Sequence, residues 1–322
     1  MIRTLLQAVT VFLLLSAFEA PAQPAWPNQP IRIIVPFAPG AFTDVAARSV
    51  AAVLTTQLGQ QVVVDNRTGA GGTIGTEIVA RAPADGYTLL LSDNSFAVSA
   101  GLYPKLPYDP VKDFIQVSAV AEAPPMLIAR SELPAKTLRQ LVDLARAKPG
   151  ELTFGSGGQG SSAHLAMELF LDTAGIKLTH VPFRGAAVAV TETVAGHVDI
   201  AIASIAAGMQ YVRSGRVQGF AVTGKERSSL LPTVPTFAEM GFPQYNFTYW
   251  WGIAVRSSTP PQLVSRLNQE IARAVENPKL KESFLSQGAR AVSSSSTQFT
   301  QLVHDEIKVW KDVISKVGVK VE

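Results

Sequence analysis

The sequence predicts an α/β protein built on two cores. Three observations carry this: short β-branched or leucine-rich runs alternate with helical patterns along most of the chain, Gly-rich turns stand between them, and the length suffices for two cores. The chain has 322 residues; about 300 remain once the N-terminus is set aside, at the usual scale of roughly 150 per domain.

At the N-terminus Arg3 precedes an almost wholly apolar stretch from Leu5 to Phe18, and Ala20-Pro21-Ala22 forms an A-x-A processing pattern before Gln23. This is the arrangement of a secretory signal peptide over residues 1–22, with an uncleaved anchor as the alternative; the apolar run is shorter than the ~20 residues a spanning helix needs. No later segment is apolar for long enough to span, so a soluble, exported mature chain is expected.

"IRIIVPF" is the first strand, and Ala47, Val50, Leu54 and Leu58 follow at helical spacing with Gly59 as the stop. "QVVVDN" enters the turn "RTGAGGTIG", and "YTLLLSDN" is a buried strand. "PMLIAR", "LTFGS", "LTHVPF", "VDIAIAS" and "GFAVTG" continue the series, most of them followed by helical stretches such as Leu138 to Ala147 and Leu165 to Phe170. Continuous apolar strands between helices predict parallel sheets covered on both faces. The C-terminal quarter reads as one strand, "YWWGIAVR", then a helical pattern through Ile271, Val275 and Leu280 interrupted at Pro278, then another from Phe299 to Val317. Ser293 to Ser296 read as a surface turn. No low-complexity linker separates the halves, so chain segments would have to cross between two sheets.

Composition narrows the chemistry. Cysteine is absent, which excludes disulfides, thiolate metal sites and a Cys nucleophile. The net charge is +3, with Lys and Arg spread along the chain; nucleic-acid binding needs a concentrated basic stripe and is not expected.

Three strand-to-helix turns carry suitable chemistry for an anion: "PFAPGAFTD" with Gly40 to Thr43, "NRTGAGGTIG" with Gly69 to Gly72, and "GSGGQGSSAH" with Gly155 to Ser162. Glycine permits positive φ and leaves N–H groups uncovered, and helix starts favour negative charge. Gly155, Gly157 and Gly160 also match G-x-G-x-x-G. A dinucleotide fold wants an acid about 20 residues later, and Thr179 to Gly185 holds none; a P-loop wants Lys where Ser161 stands. Glycines serving only tight turns are the plain alternative for any one stretch.

Catalytic readings find little support. No Ser lies in G-x-S-x-G, and His164, His180, His197 and His304 show no metal spacing. His164 with Glu168 reads as a capping or solvated pair, and Ser161 and Ser162 as helix caps. Asn66 and Asn246 sit in N-x-T triplets that carry no weight alone. No metal and no cofactor are expected.

The stretches "PIRIIVPFAPGAFTDVAAR", "LGQQVVVDNRTGAGGTIGTEIVARAPADGYTLLLSDN", "LYPKLPYDPVKDF", "LTFGSGGQGSSAHLAMELF" and "HVPFRGAAVAVTETVAGHVDIAIA" resemble, in order, the solute receptors of tripartite tricarboxylate transporters, the Bug family; "AVTGKERSSLLPTVPTFAEMGFP" and "WWGIAV" extend the likeness over the whole mature chain. The resemblance implies a periplasmic binding protein of two α/β lobes around a central cleft (type II-like), with a hinge crossed by two or more chain segments. Lobe 1 would comprise residues 23–122 and 248–322, and lobe 2 residues 123–247. It implies a small organic anion, a carboxylate and typically a dicarboxylate, held by backbone N–H groups, hydroxyls and waters rather than by arginine. Membrane permease subunits are the implied partners, and a periplasmic monomer is expected. A ligand-sensing receptor coupled to a membrane signalling partner is the nearest alternative, and an exported α/β enzyme a more distant one.

Carried onto this chain, the site falls on Pro39, Gly40, Ala41, Phe42, Thr43, Asp44 and Asn94 in the first lobe, and on Ser156, Gly158, Gly160, Ser161, Ser162, His164, Gly185, Ala203 and Ser204 in the second. Thr43, Ser161 and Ser162 would donate hydroxyls, while Asp44 reads as a helix cap. Two departures stand out. The family's P-G-G is Pro39-Gly40-Ala41 here, and Phe42 follows where a small residue is commoner, which should narrow the pocket or give it an apolar wall. Family members often carry an acid at the position of Ala203; its loss argues against amino-acid ligands, whose ammonium would lack a partner. Trp250 and Trp251 are expected to pack rather than to touch ligand.

Overall fold

The computed structural model describes residues 26–40, 42–183 and 185–319. The signal-peptide segment and Ala41 lie outside the described residues.

Three strand–helix units come first: β1 (Ile31–Val35) and α1 (Phe42–Leu58), β2 (Val62–Asn66) and α2 (Thr73–Arg81), β3 (Thr88–Asp93) and α3 (Asn94–Leu102). β4 (Phe114–Ala123) runs to Pro124, and β5 (Pro125–Arg130) continues directly beyond it. Then follow α4 (Leu138–Ala147), β6 (Thr153–Ser156), α5 (Ser162–Ala174), β7 (Thr179–Pro182), α6 (Ala186–Ala195), β8 (Ile200–Ser204), α7 (Ile205–Arg213) and β9 (Val217–Val222). The chain returns as β10 (Tyr249–Arg256) and ends with α8 (Pro261–Val275), α9 (Pro278–Ser286), β11 (Arg290–Ala291) and α10 (Ser296–Val317).

Two sheets result, ordered β11-β4-β10-β3-β1-β2 and β7-β6-β8-β5-β9. The chain changes sheet at Pro124 and returns between Val222 and Tyr249, which makes the molecule two α/β lobes. The expectation of parallel sheets holds for β1, β2 and β3 and for β6, β7 and β8, but β10 is antiparallel to β3 and β4, and β5 to β8 and β9. The reason is the crossing. Parallel neighbours need a helical crossover, whereas β5 enters from the other sheet through a single residue. In each sheet an antiparallel strand delivered from the other lobe lies next to the third parallel strand.

Buried strands anchor both lobes: Leu89, Leu90 and Leu91 of β3 and Ile200 of β8 are wholly inaccessible. The spacing seen in α1 buries Ala46, Ala47, Val50, Ala51 and Leu54. α8 and α9 part at Pro278, which takes the first helical position after Asn277 caps the new helix with bonds from the Lys279 and Leu280 amides. Ser295 opens α10 with a capping box to Gln298, so the serine turn has a defined task. α10 packs along both lobes: Trp310 stacks edge-on against Phe247 at 5.2 Å, and Lys316 pairs with Asp172 of α5 at 3.3 Å. β4 escapes the sequence reading because its alternation of large and small side chains leads into another strand, with no turn or helix to frame it.

Candidate functional site

A cavity of about 620 Å³ lies between the lobes. Five helices bring their N-terminal residues to it: Phe42 and Thr43 of α1, Asn94 and Ser95 of α3, Ser162 and Ala163 of α5, Ala186 of α6, and Ser204 preceding α7. Gly71, from the second glycine turn, joins them. Each helix start presents N–H groups and the positive end of a helix dipole. Their convergence builds a positive potential without a cationic side chain; among the described lining residues no Lys or Arg occurs.

Of the residues expected at the site, Pro39, Phe42, Thr43, Asn94, Gly160, Ser161, Ser162, Gly185, Ala203 and Ser204 line this cavity. Gly40, Asp44, Ser156, Gly158 and His164 do not, and Ala41 lies outside the described residues. The hydrogen bonds of the two turns show how these five are used instead.

Asp44 faces back into the turn. It accepts from the Gly40 amide at 3.2 Å, from Arg48 Nε at 2.9 Å and from Asn66 Nδ2 at 3.0 Å. Burial alone would raise its pKa; the bonds from Arg48, Asn66 and Gly40 outweigh that and hold it below the ordinary value. Asn66 also donates to the Phe37 carbonyl at 3.0 Å, so the carboxylate and the amide fasten the first turn as a unit.

The second-lobe turn is fastened the same way. The Gly158 amide donates to Ser156 Oγ at 3.2 Å and the Gly160 amide to His164 Nδ1 at 3.0 Å. These two amides, expected to be uncovered, are therefore engaged within the turn. Their glycines are required for conformation, with φ of +128° and +73°. Ser161 caps α5 by accepting from the His164 amide at 3.2 Å. Ser156 Oγ lies 2.6 Å from His180 Nε2, and His180 stacks on His164 with ring centres 3.8 Å apart. Burial, then the neighbouring His164, pushes the His180 pKa down to about 4, so this inner ring is neutral at pH 7. Ser156 is fully buried, and neither Ser156 nor His180 lines the cavity.

Donors remain elsewhere. α6 begins at Gly185 and α7 at Ser204 with no side-chain cap on either helix. The hydroxyls of Ser162 and Ser204 make no hydrogen bond among the described residues. These are the groups free to meet an anion.

The first-lobe wall adds residues the sequence reading passed over. Trp251, expected only to pack, lines the cavity and donates from Nε1 to Thr43 Oγ1 at 3.0 Å; Thr43 in turn donates to Asp93 Oδ2 at 3.2 Å. The Thr43 hydroxyl is thus held within the wall. Trp250 does pack, edge-on against Phe299 at 5.2 Å. Phe42 lies against Trp251 at 4.3 Å and Phe284 at 5.4 Å and gives the cavity its apolar side. Asn94 clamps the returning strand: Nδ2 donates to the Thr248 carbonyl and to Glu306 at 3.0 Å, and Oδ1 accepts from the Trp250 amide at 3.0 Å. Burial pushes the Glu306 pKa up to about 7 despite bonds from Asn94 and Trp310. Asp93 caps α3 by accepting from the Ser95 amide at 2.9 Å. It is the one charged side chain among the described lining residues. Its signal was present at the end of "LLLSDN", since Asp is a strong helix cap.

A second cavity of about 630 Å³ lies beside the hinge, lined by the loop Thr223 to Leu230 and by Glu122, Asn246 and Arg290. Its charged groups include the ion pair of Arg290 with Glu122 and the Arg227 that pairs with Glu239. Among its described lining residues none begins a helix, so the interlobe cavity is the candidate site.

Comparison with known proteins agrees with this architecture. The family described as Tripartite tricarboxylate transporter family receptor matches residues 46–319. The chain is 37% identical over 321 residues to the protein BugT of Bordetella pertussis, covering 99% of this chain and 98% of that one. Among solved structures it is similar to R. palustris Rpa4515 with adipate, with a TM-score of 0.81 and 32% identity over 92% of this chain and 99% of that one. It is also similar to MatC of Rhodopseudomonas palustris with bound malate, with a TM-score of 0.79 and 31% identity over 90% of this chain and 100% of that one.

Proposed function

The chain belongs to the tripartite tricarboxylate transporter receptor family, and from that premise we propose that it captures a small organic dicarboxylate in the interlobe cavity, in the periplasm, and delivers it to a tripartite transporter permease. The single observation that carries this reading is the convergence of five helix starts from both lobes on one cavity without a Lys or Arg among its described lining residues. Such a site attracts negative charge through oriented amides and hydroxyls. The volume of about 620 Å³ accommodates a short diacid with several waters, each of which occupies about 30 Å³ in the liquid. The similar structures with adipate and malate support acids of this class.

Capture proceeds by closure. A ligand bridging donors of both lobes stabilises the arrangement in which the lobes meet, and the population shifts toward it. The closed face is then what the permease reads. Turnover is not part of this reading: Ser161 Oγ meets the His164 amide rather than its ring, and Ser156 and His180 do not line the cavity.

The test is calorimetric titration of the mature chain with succinate, malate and adipate, with neutral diamides of the same lengths as controls. Binding of at least one diacid and of no diamide is expected. Preference for the neutral compounds would overturn the proposal.

A further inference from the structure

The interlobe cavity is proposed to attract an anion, yet the one charged side chain on its described wall is a carboxylate, Asp93. Among the described lining residues no Lys or Arg offsets that charge. We propose that Asp93 makes capture proton-linked: the anion is bound together with one proton, taken from solvent and held on the Asp93 carboxyl. This rests on the carboxylate reading above.

The surroundings of Asp93 support it. The Ser95 amide, at 2.9 Å, bonds Oδ1, and the Thr43 hydroxyl, at 3.2 Å, bonds Oδ2. Trp251 supports Thr43 from β10. Burial is the largest influence, and it raises the Asp93 pKa to about 6 in spite of those bonds. Titratable neighbours come from each element packed around it. On β10, Tyr249 is neutral, its pKa raised by burial and then by Asp93 itself. On α1, Asp44 is neutralised by Arg48. Just past α3, burial raises the pKa of Tyr103, and on α10, Glu306 reaches Asp93's neighbour Asn94. None of these supplies a positive charge to Asp93. A second negative charge brought into the cavity pushes the carboxyl further toward its protonated form. Once protonated, it becomes a hydrogen-bond donor on the cavity wall.

The sign follows from linkage. An acid whose pKa rises on binding takes up a proton, so affinity falls as pH rises between the free and the bound value. With the free value near 6, binding is expected to weaken about tenfold or more between pH 6 and pH 8.

The experiment is calorimetric titration of the mature protein with succinate and with adipate at pH 6, 7 and 8, each in buffers of different ionisation heat. Uptake approaching one proton per acid near pH 7.5 is expected. Asp93→Asn, which retains a capping acceptor, is expected to bind tenfold or more tighter than the parent at pH 8 and to lose the buffer-dependent heat. Glu306→Gln is expected to keep the parent's affinity at pH 8 and its buffer-dependent heat. The acids' own titration is common to all three proteins and cancels. Zero proton uptake with a pH-independent Kd in the parent overturns the proposal, with no variant needed. So does Asp93→Asn binding more weakly than the parent at pH 8, which would mean that the ionised Asp93 carboxylate supports binding of the diacid. Failure of both acids at every pH overturns the carboxylate reading itself and is distinguishable from either result.

Discussion

Gly160→Ala is expected to weaken ligand capture by acting on closure. Gly160 has φ +73°, where an L side chain costs roughly 1–2 kcal/mol. That strain is local to the turn and burdens open and closed forms alike. The added Cβ would also lie 2.3 Å from Cδ2 and 3.5 Å from Cγ of Leu102, at the end of α3 in the other lobe. Leu102 is buried, so relief requires an unfavourable rotamer or a slight parting of the lobes. Overpacking of this kind costs roughly 1–3 kcal/mol, and only while the lobes meet. The turn strain therefore appears as lost stability, and the overlap as affinity weakened by roughly fivefold to a hundredfold. Thermal unfolding of the ligand-free protein reads the first, and titration with the best-bound diacid reads the second. Adding Leu102→Ala should remove the overlap. Although that change alone leaves a cavity, the double-mutant cycle isolates the coupling. A coupling of zero, or an undiminished affinity in Gly160→Ala, would refute the reasoning that these lobes meet through Leu102 during capture.

Other outcomes follow from the same geometry. Asp44→Ala removes the acceptor of the Gly40, Arg48 and Asn66 donors and should lower stability by about 2 kcal/mol or more in urea unfolding, with ligand affinity falling as the first turn loosens. Because the folded pKa of Asp44 is depressed, its stabilisation is present above the unfolded value and is lost as pH falls through the folded one. Glu306 behaves in the opposite sense. Its folded pKa near 7 makes the ionised form unfavourable, so Glu306→Gln should match the parent's unfolding free energy near pH 4 and exceed it at pH 8 by at most about 3 kcal/mol in urea unfolding; equal pH profiles would refute this. Trp251→Phe should abolish most of the ligand-induced change in tryptophan fluorescence and cost about 1 kcal/mol through the lost bond to Thr43.

The strand–turn–helix alternation was legible because it depends on local periodicity and on glycine at the turns. The residues lining the cavity were less so. Asp44, Gly158 and His164 have the chemistry of an anion turn, but the fold directs that chemistry inward, toward Arg48, Ser156 and Gly160. Trp251 reads as an apolar strand residue, and only its register opposite Asp93 brings its indole to Thr43. β4 went unseen because its identity as a strand depends on pairing with β10, which is separated from it by the entire second lobe.

By itself the sequence determined the α/β class, the three glycine turns and the family likeness, since each is written in contiguous residues or their spacing. Only the tertiary structure decided which helix starts share a cavity, which amides remain free and that a carboxylate lies among them. Those are relations between segments that are not contiguous in the chain, set by where two sheets exchange strands and by the tendency of buried donors to find acceptors.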